Sequence, residues 1–207
     1  MDFFDMRDGG FTLIEMLISI SIISLISGVV FFNFPRLNQD VLLNRAAREL
    51  TLALREAQSR AVAVSPLESG KFPSNYGISI QKNNAELVLF SDGADGSVEN
   101  TKYDASGQPE ECIGECVKKF TFTHGILPSQ LIFAGVPCST NPCTMNVLFY
   151  RPDPRMSVSD DSGCVSGDCG GSGVFGPFSI EVSQPNSAEG SNKRIIEVWL
   201  TGQISIR

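Results

Sequence analysis

The sequence has a single histidine and a minority of basic residues, and both shortages exclude classes of function. One imidazole among 207 residues limits general acid–base catalysis, because histidine is the side chain whose ordinary pKa lies closest to neutral pH. Lysine and arginine number 16 against 23 acidic residues, so the formal net charge is −7. A nucleic-acid interface needs a basic surface that neutralises phosphates. The composition therefore predicts no nucleic-acid partner.

Charge and cysteine are unevenly distributed along the chain. Hydrophobic residues make up 42% and charged residues 19% of the sequence, which suits one packed domain with an additional segment. Residues 1–65 contain 6 basic and 7 acidic residues, whereas residues 66–207 contain 10 basic and 16 acidic residues and all six cysteines. The sequence thus consists of an apolar first part and an acidic, cysteine-bearing second part.

Residues 11–34 form one long apolar run whose only charged residue is Glu15. As a helix, this run would be about 36 Å long, enough to cross a hydrocarbon layer of about 30 Å. A cleaved secretory signal has a shorter apolar region and small residues at its cleavage site, which residues 33–35 (Asn-Phe-Pro) do not offer. A buried core helix seldom contains so many consecutive apolar residues. A retained membrane span is the favoured interpretation.

The run begins with the string Gly10-Phe11-Thr12-Leu13-Ile14-Glu15, which resembles the amino terminus of type IV pilins and type II secretion pseudopilins. The resemblance implies that prepilin peptidase cleaves between Gly10 and Phe11 and methylates the new amino terminus of Phe11. It also implies that Glu15 recruits and registers neighbouring subunits. A carboxylate inside a bilayer is disfavoured by about 2.5–3.5 kcal/mol, and the α-amino group of a neighbour's Phe11 would supply a counter-charge.

The segment before the cleavage position departs from the family pattern. Such leaders are typically basic, whereas residues 1–10 carry Arg7 against Asp2, Asp5 and Asp8. The rule that basic residues flanking a span stay in the cytoplasm therefore gives little support for either orientation of this span. An inner-membrane topology with a cytoplasmic amino terminus is implied by the resemblance alone.

Residues 38–64 have the pattern of an amphipathic helix that continues the span. Arg45 with Glu49, and Glu56 with Arg60, stand at helical ion-pair spacing. Pro35 is expected to kink or loosen the helix, and Pro66 to end it, so that one helix of about 55 residues results. Apolar residues at steps of three and four form one stripe that would pack on the following domain: Leu43, Ala46, Ala47, Leu50, Leu54, Ala57 and Ala61.

The remaining sequence predicts short strands separated by turns, and hence an α+β fold. Residues 36–65 and the closing hairpin resemble the minor pseudopilin H family, which includes FimT-like pilins. We therefore expect a pilin-like fold with one long helix packed on a mostly antiparallel sheet. Four segments follow: a leader (1–10), the membrane half of the helix (11–35), its amphipathic half (36–65) and an extracytoplasmic β-rich domain (66–207). Expected strands cover residues 76–81, 86–91, 118–124, 130–133, 145–150, 178–182, 194–200 and 203–207, and expected surface loops cover 99–115, 136–144 and 152–177.

The six cysteines fall into three local pairs on the predicted extracytoplasmic side, where disulfides persist. We expect Cys112 to pair with Cys116, Cys138 with Cys143, and Cys164 with Cys169. Six cysteines permit fifteen connectivities, so local pairing is one hypothesis among several. Free thiols are a second alternative. A zinc site is a third, although its common Cys-x2-Cys spacing is absent.

Three further patterns invite functional interpretations with ordinary structural alternatives. Asp92, Asp95 and Glu99 could supply oxygen ligands to calcium, but no EF-hand pattern is present and Asp-Gly pairs are common in turns. The Gly-rich string at residues 171–176 matches a dinucleotide-binding pattern, yet a strand-like run and not a helix follows it. His124 has no nucleophile nearby in the sequence that would indicate catalysis.

These observations predict a structural protein and not an enzyme. The expected function is that of a minor pseudopilin of a type II secretion pseudopilus, anchored in the cytoplasmic membrane with its globular domain outside the cytoplasm. Its expected partners are prepilin peptidase, the membrane and other pilin or pseudopilin subunits, with no cofactor except the calcium alternative. A minor type IV pilin serving adhesion, motility or DNA uptake is one alternative. A membrane-anchored extracellular binding module that does not polymerise is another.

Overall fold

The computed structural model describes residues 10–67, 70, 72–73, 75–93, 100–104, 112, 114–150, 155–167, 176–184 and 193–207. Two compact units are present, Met1–Asp40 and Val41–Arg207. One helix, α1 (Leu13–Val62), contributes residues to both units. The predicted division of the chain into four segments stays a prediction, and residues 1–9 of the leader lie outside the described residues.

The first unit consists of the apolar part of α1. Leu13–Phe31 has a mean hydropathy of 2.3, and none of it is buried within the structure. The length and composition of this stretch suit a membrane span. The helical backbone continues through Pro35, although proline lacks the N–H that would complete one helical hydrogen bond.

In the second unit, the predicted apolar stripe of α1 is buried as expected. All seven residues of the stripe are at most 3% exposed, and Ala53 and Thr51 extend the buried face. The two predicted ion pairs are present, with Arg45 Nε 2.9 Å from Glu49 Oε1 and Arg60 Nη2 3.0 Å from Glu56 Oε1. The period of 3.6 residues was therefore sufficient to predict which face packs.

Two antiparallel sheets follow the helix, where the sequence predicted a single sheet. The strand order is β3-β2-β1-β6-β7-β8 in one sheet and β11-β10-β9-β4-β5 in the other. This architecture confirms the predicted α+β, pilin-like fold class. The strands are β1 Asn75–Gln81, β2 Glu86–Asp92, β3 Cys116–Thr121, β4 Leu127–Phe133, β5 Val136–Pro137, β6 Thr144–Tyr150, β7 Met156–Asp160, β8 Gly163–Gly167, β9 Phe178–Ser183, β10 Lys193–Val198 and β11 Ile204–Ile206.

Each of the eight predicted strands corresponds to an observed strand, but three observed strands were missed. The prediction of an unbroken loop over residues 152–177 was wrong, because β7 and β8 form a hairpin there through Asp161 and Ser162. The segment Met156-Ser157-Val158-Ser159 alternates apolar and polar residues, as a strand does. Its serines and the glycines of β8 concealed the pattern, because these residues are common in loops.

The core lies between α1 and the sheets, and its largest fully buried side chains include Tyr76, Phe90, Phe149 and Phe178. Gly77 is required by this packing. A Cβ at that position would lie 2.7 Å from the Phe90 ring and 2.9 Å from the carbonyl oxygen of Val147. The sequence thus places a glycine where β1 and the aromatic core approach most closely.

Polar contacts join α1 to both sheets. Lys118 Nζ of β3 lies 3.2 Å from Glu56 Oε2. Gln58 Nε2 donates to the carbonyl oxygen of Gly202 at 3.3 Å, in the turn between β10 and β11. Arg194 of β10 donates to the side chain of Asn44 at 2.7 Å. Within the second unit, the helix therefore runs beside β3 of one sheet and β10 of the other.

Candidate functional site

The predicted cleavage position lies immediately before the first turn of α1. Gly10 is exposed, and an added Cβ there would have no heavy atom within 4 Å. Phe11 is 77% exposed. The fold therefore does not itself require glycine at position 10. A requirement for glycine at this position would have to come from another molecule that binds the segment, such as the predicted peptidase.

Thr12 begins the helix and brings Glu15 into its first turn. The Glu15 N–H donates to Thr12 Oγ1 at 3.3 Å, and the Met16 N–H donates to the Thr12 carbonyl oxygen at 3.2 Å. Thr-x-x-Glu is the spacing of a capping box, and a carboxylate in the first turn complements the positive end of the helix dipole. This role of Thr12 was not predicted, although the Thr-x-x-Glu spacing of a capping box was present in the sequence.

Two serines within the apolar helix bond their hydroxyl groups to its own backbone. Ser19 Oγ donates to the carbonyl oxygen of Glu15 at 2.8 Å, and Ser21 Oγ donates to that of Leu17 at 2.9 Å. Such bonds to the preceding turn are available to serine in any helix. They suit a lipid environment, where an unsatisfied polar group costs several kcal/mol.

The comparisons with known proteins agree with this geometry. Residues 5–31 match the prokaryotic N-terminal methylation motif. The chain carries a prepilin-type amino terminus. This methylation motif includes Gly10, Phe11, Thr12 and Glu15, so it covers the segment in which the helix begins. The predicted resemblance to prepilins is confirmed.

The similarity extends to a protein of a secretion system. Type II secretion system protein H of Klebsiella pneumoniae is 35% identical over 92 residues, which cover 44% of this chain and 49% of that protein. The chain thus spans about half the length of the curated relative that it matches. No solved structure matches the chain.

Two of the three predicted cysteine pairs are disulfides in the structure. Cys112 is bonded to Cys116, and Cys138 to Cys143. The second bond joins the end of β5 in the five-stranded sheet to the start of β6 in the six-stranded sheet. These four cysteines are therefore bonded in the local pairs that their spacing suggested. The pairing of Cys164 with Cys169 rests on side chains that lie outside the described residues.

Of the three predicted calcium ligands, the structure describes only Asp92. Asp92 is fully buried, and its two carboxylate oxygens accept hydrogen bonds from the N–H groups of Asn100 (3.3 Å) and Thr101 (3.1 Å). Asp95 and Glu99 lie outside the described residues. Among the residues that the structure describes, no group of three His, Cys, Asp or Glu side chains could hold a metal ion.

The structure also locates His124 and the end of the Gly-rich string at residues 171–176. His124 is an exposed residue in a turn between β3 and β4, with a positive φ of 64°. Residues 171–175 of the Gly-rich string lie outside the described residues, and Gly176 precedes β9. A strand, and not a helix, therefore follows this string, as the sequence indicated.

A second buried carboxylate also anchors the loop of residues 100–104. Glu115 is 2% exposed and accepts a hydrogen bond from the Asp104 N–H at 2.9 Å. Burial raises the pKa of Tyr103 in this loop, and the negative charges of Glu115 and Glu86 raise that pKa further. The sequence analysis did not find this anchor, because a buried glutamate before a strand has no local signature.

The ion pair between helix and sheet has a measurable electrostatic consequence. Partial burial alone would raise the pKa of Glu56, but hydrogen bonds from Arg60 and Lys118, together with their positive charges, outweigh it. The pKa of Glu56 therefore lies below its ordinary value of 4.5. Glu56 is ionised at neutral pH and links α1 to β3.

Proposed function

We propose that the chain is a minor pseudopilin, a structural subunit of a type II secretion pseudopilus that serves protein secretion. The methylation motif at the head of an exposed apolar helix carries this proposal. The similarity to type II secretion system protein H supports the choice of machine. The described residues form a helix packed on two antiparallel sheets, which is the architecture expected of a pilin-like structural subunit.

The proposal assigns a sequence of events to the first turn of α1. Prepilin peptidase cleaves the peptide bond between Gly10 and Phe11, and the new α-amino group of Phe11 is methylated. Cleavage creates a positive charge four residues before the carboxylate of Glu15. In lipid, this charge attracts the Glu15 carboxylate of a neighbouring subunit. Glu15 therefore stabilises assembled subunits more than it stabilises a single helix anchored alone in the membrane.

The same proposal gives the chain a location and partners. Leu13–Phe31 spans the cytoplasmic membrane with the amino terminus inside, and the β-rich domain lies outside the cytoplasm. The disulfides Cys112–Cys116 and Cys138–Cys143 support this orientation, because disulfides persist outside the reducing cytoplasm. Partners are prepilin peptidase and other pseudopilin subunits, which contact the chain through its apolar helix.

Mass spectrometry of the amino-terminal peptide from native membranes tests this proposal. We expect a chain that begins at Phe11 with one added methyl group. Gly10→Val should abolish cleavage without affecting folding, because the structure has room for a side chain there. Gly28→Ala, a substitution with equal room inside the helix, is the matched control and should be cleaved normally. A wild-type chain that keeps residues 1–10 in cells with an active peptidase would refute the proposal.

The assembly step needs its own variant. Glu15→Gln keeps the side-chain size and removes the charge, so we expect normal cleavage at Gly10 but at least about tenfold less chain in sheared filaments. Ser19→Ala removes a polar group that the helix already satisfies and should leave incorporation unchanged. Normal incorporation of Glu15→Gln would show that the carboxylate has no role in assembly.

A further inference from the structure

The first hydrogen bonds of α1 determine where the helix begins relative to the proposed cleavage position. The Met16 N–H donates to the carbonyl oxygen of Thr12 at 3.2 Å, and the Glu15 N–H donates to Thr12 Oγ1 at 3.3 Å. These are the bonds of an N-cap residue, whose carbonyl group accepts the first bond of the helix while its side chain accepts the N–H three residues later. Thr12 is therefore the last residue before the helix.

The peptide bond between Gly10 and Phe11 lies just outside this helix. Residues 10–12 are not helical, and α1 begins at Leu13, so the Gly10 carbonyl group precedes the hydrogen-bond ladder of the helix. If the helix began one turn earlier, the Ile14 N–H would donate to that carbonyl oxygen. The start of the helix thus determines whether this peptide bond is free or enclosed in a helical turn.

The hydroxyl group of Thr12 competes with such an earlier start. In a helix that began one turn earlier, the Glu15 N–H would donate to the carbonyl oxygen of Phe11. In the structure, Thr12 Oγ1 accepts this N–H instead. Threonine side chains can offer the backbone this alternative to continued helix. Without the hydroxyl group, the N–H would lose a partner that the extended form of residues 10–12 requires.

Packing contributes little to this boundary. An added Cβ at Gly10 would have no heavy atom within 4 Å. Phe11 is 77% exposed and Leu13 is 80% exposed. In the part of the chain that the structure describes, the start of α1 is therefore determined by the local hydrogen bonds of Thr12.

A peptidase has to bind the backbone on both sides of the bond that it cleaves. An extended segment presents its N–H and C=O groups to a binding partner, whereas a helix uses these groups internally. The non-helical form of residues 10–12 is thus the form that can be bound. When only a fraction of the molecules has the form that binds, the apparent affinity falls by that fraction.

We propose that Thr12 is a positioning residue for prepilin cleavage. Its hydroxyl group holds the start of α1 at Leu13 and so keeps the peptide bond between Gly10 and Phe11 in the form that the peptidase binds. Thr12 acts through the backbone and not through a contact between its side chain and the enzyme. The inference rests on the proposed function and adds to it a residue that sets the efficiency of processing.

Cleavage kinetics of the full chain in detergent micelles, with purified prepilin peptidase, test this inference. Thr12→Val retains the branched shape of the side chain and removes the hydroxyl group. We expect KM to rise about two- to thirtyfold, the range that corresponds to one N-cap. The value of kcat should change by less than about twofold, because the bound form is the same. An unchanged KM, or a loss that lies mainly in kcat, would overturn the inference.

Conservative variants distinguish capping from direct recognition of the threonine side chain. Thr12→Ser and Thr12→Asn should both keep KM within about twofold of the wild-type value, because serine and asparagine cap helices at least as well as threonine. Rescue by Thr12→Ser but not by Thr12→Asn would show that the enzyme reads the hydroxyl group itself, and the inference would be wrong. Ser21→Ala removes a hydroxyl group that bonds within α1 at 2.9 Å and is the matched control with an unchanged KM.

Backbone NMR of the same micelles reports the position of the helix start directly. In Thr12→Val, the ¹³Cα chemical shifts of residues 10–12 should move toward helical values. In Thr12→Asn, they should stay at the wild-type values. A raised KM of Thr12→Val without any change in these shifts would contradict a role through the backbone.

The wild-type chain separates this inference from the proposed function. If the peptidase leaves the wild-type chain uncleaved, the pseudopilin proposal fails, and the inference fails with it. If the enzyme cleaves the wild-type chain after Gly10 and cleaves Thr12→Val with the same KM, only the role of Thr12 is wrong and the pseudopilin proposal stands.

Discussion

Thr12 shows how one residue can serve the fold and the processing motif together. Its hydroxyl oxygen accepts the N–H of Glu15 and so begins α1 just after the predicted cleavage position. Glu15 is therefore part of the first turn, where its charge is also favoured by the helix dipole. The fold thus explains why Thr12 stands in the motif, whereas no contact among the described residues explains why position 10 is glycine.

Glu56 provides a prediction about pH at the scale of one side chain. Its pKa is lowered in the folded state, so its ionised form contributes stability above the ordinary pKa of 4.5, and this contribution is lost as the pH falls through the lower folded-state pKa. We expect wild-type chain in detergent micelles to melt at a higher temperature than Glu56→Gln near neutral pH. The difference should shrink below pH 4.5. A constant difference over the whole pH range would contradict this account.

From sequence alone, burial could be predicted for residues that belong to a periodic apolar pattern. Leu43, Leu50 and Leu54 recur at helical steps, so their burial followed from spacing. Asp92 and Glu115 could not be found in this way, because each is buried by contacts with a loop that is distant in sequence. In the sequence, a buried carboxylate cannot be distinguished from an exposed carboxylate in a turn until the backbone N–H groups that donate to it are known.

At the scale of the element, α1 has two faces along its length, one buried and one exposed. Leu50 and Leu52 are chemically identical and two residues apart, yet Leu50 is fully buried and Leu52 is 64% exposed. The buried face packs on the sheets, and the face that carries Leu52 is exposed. Substitutions on the two faces should therefore affect different properties of the protein.

These two leucines give a matched pair of variants. Leu50→Ala should lower the free energy of unfolding by about 2–5 kcal/mol, because it leaves a cavity in the core. Leu52→Ala should change it by less than about 0.5 kcal/mol. Denaturant titration of the full chain in micelles, followed by the fluorescence of Trp199, measures both values. Similar losses for the two variants would mean that the helix packs on a different face.

The strands show where prediction from sequence succeeded and where it failed. β1, β2, β6, β9 and β10 combine several β-branched or aromatic residues with clear turns, and all were predicted within two residues of their ends. β7 and β8 are rich in serine and glycine, so composition favoured a loop. The partition into two sheets could not be predicted either, because strand order depends on contacts that are distant in sequence.

At the scale of the second unit, the two sheets are joined by a disulfide and by hydrogen bonds. The Cys138–Cys143 disulfide links β5 to β6. Lys82 Nζ, in the turn after β1, donates to Gln130 Oε1 of β4 at 2.9 Å. The Asn83 N–H donates to the carbonyl oxygen of Pro128 at 2.8 Å. These bonds connect the turn after β1 and the start of β6, in the six-stranded sheet, to β4 and β5 of the five-stranded sheet.

The two disulfides should therefore differ in their effect on stability. Each closes a loop of similar length, so removing either should cost about 2 kcal/mol in unfolding free energy by the chain-entropy estimate. Cys143 is 1% exposed and part of the core, whereas Cys112 is exposed. Cys138→Ala with Cys143→Ala should thus be destabilised by about 1 kcal/mol more than Cys112→Ala with Cys116→Ala. Equal losses in denaturant titrations would indicate that the bond between the sheets adds only loop closure.

The hydrogen bonds of Ser19 and Ser21 to their own helix bear on how a subunit could stay in the membrane before assembly. Because these two hydroxyls are bonded within the helix, they need no polar partner from another subunit. Under the proposed function, Glu15 differs from them, because its carboxylate would gain a counter-charge from a neighbouring subunit. That difference would drive the exchange of subunits from the lipid into the growing filament.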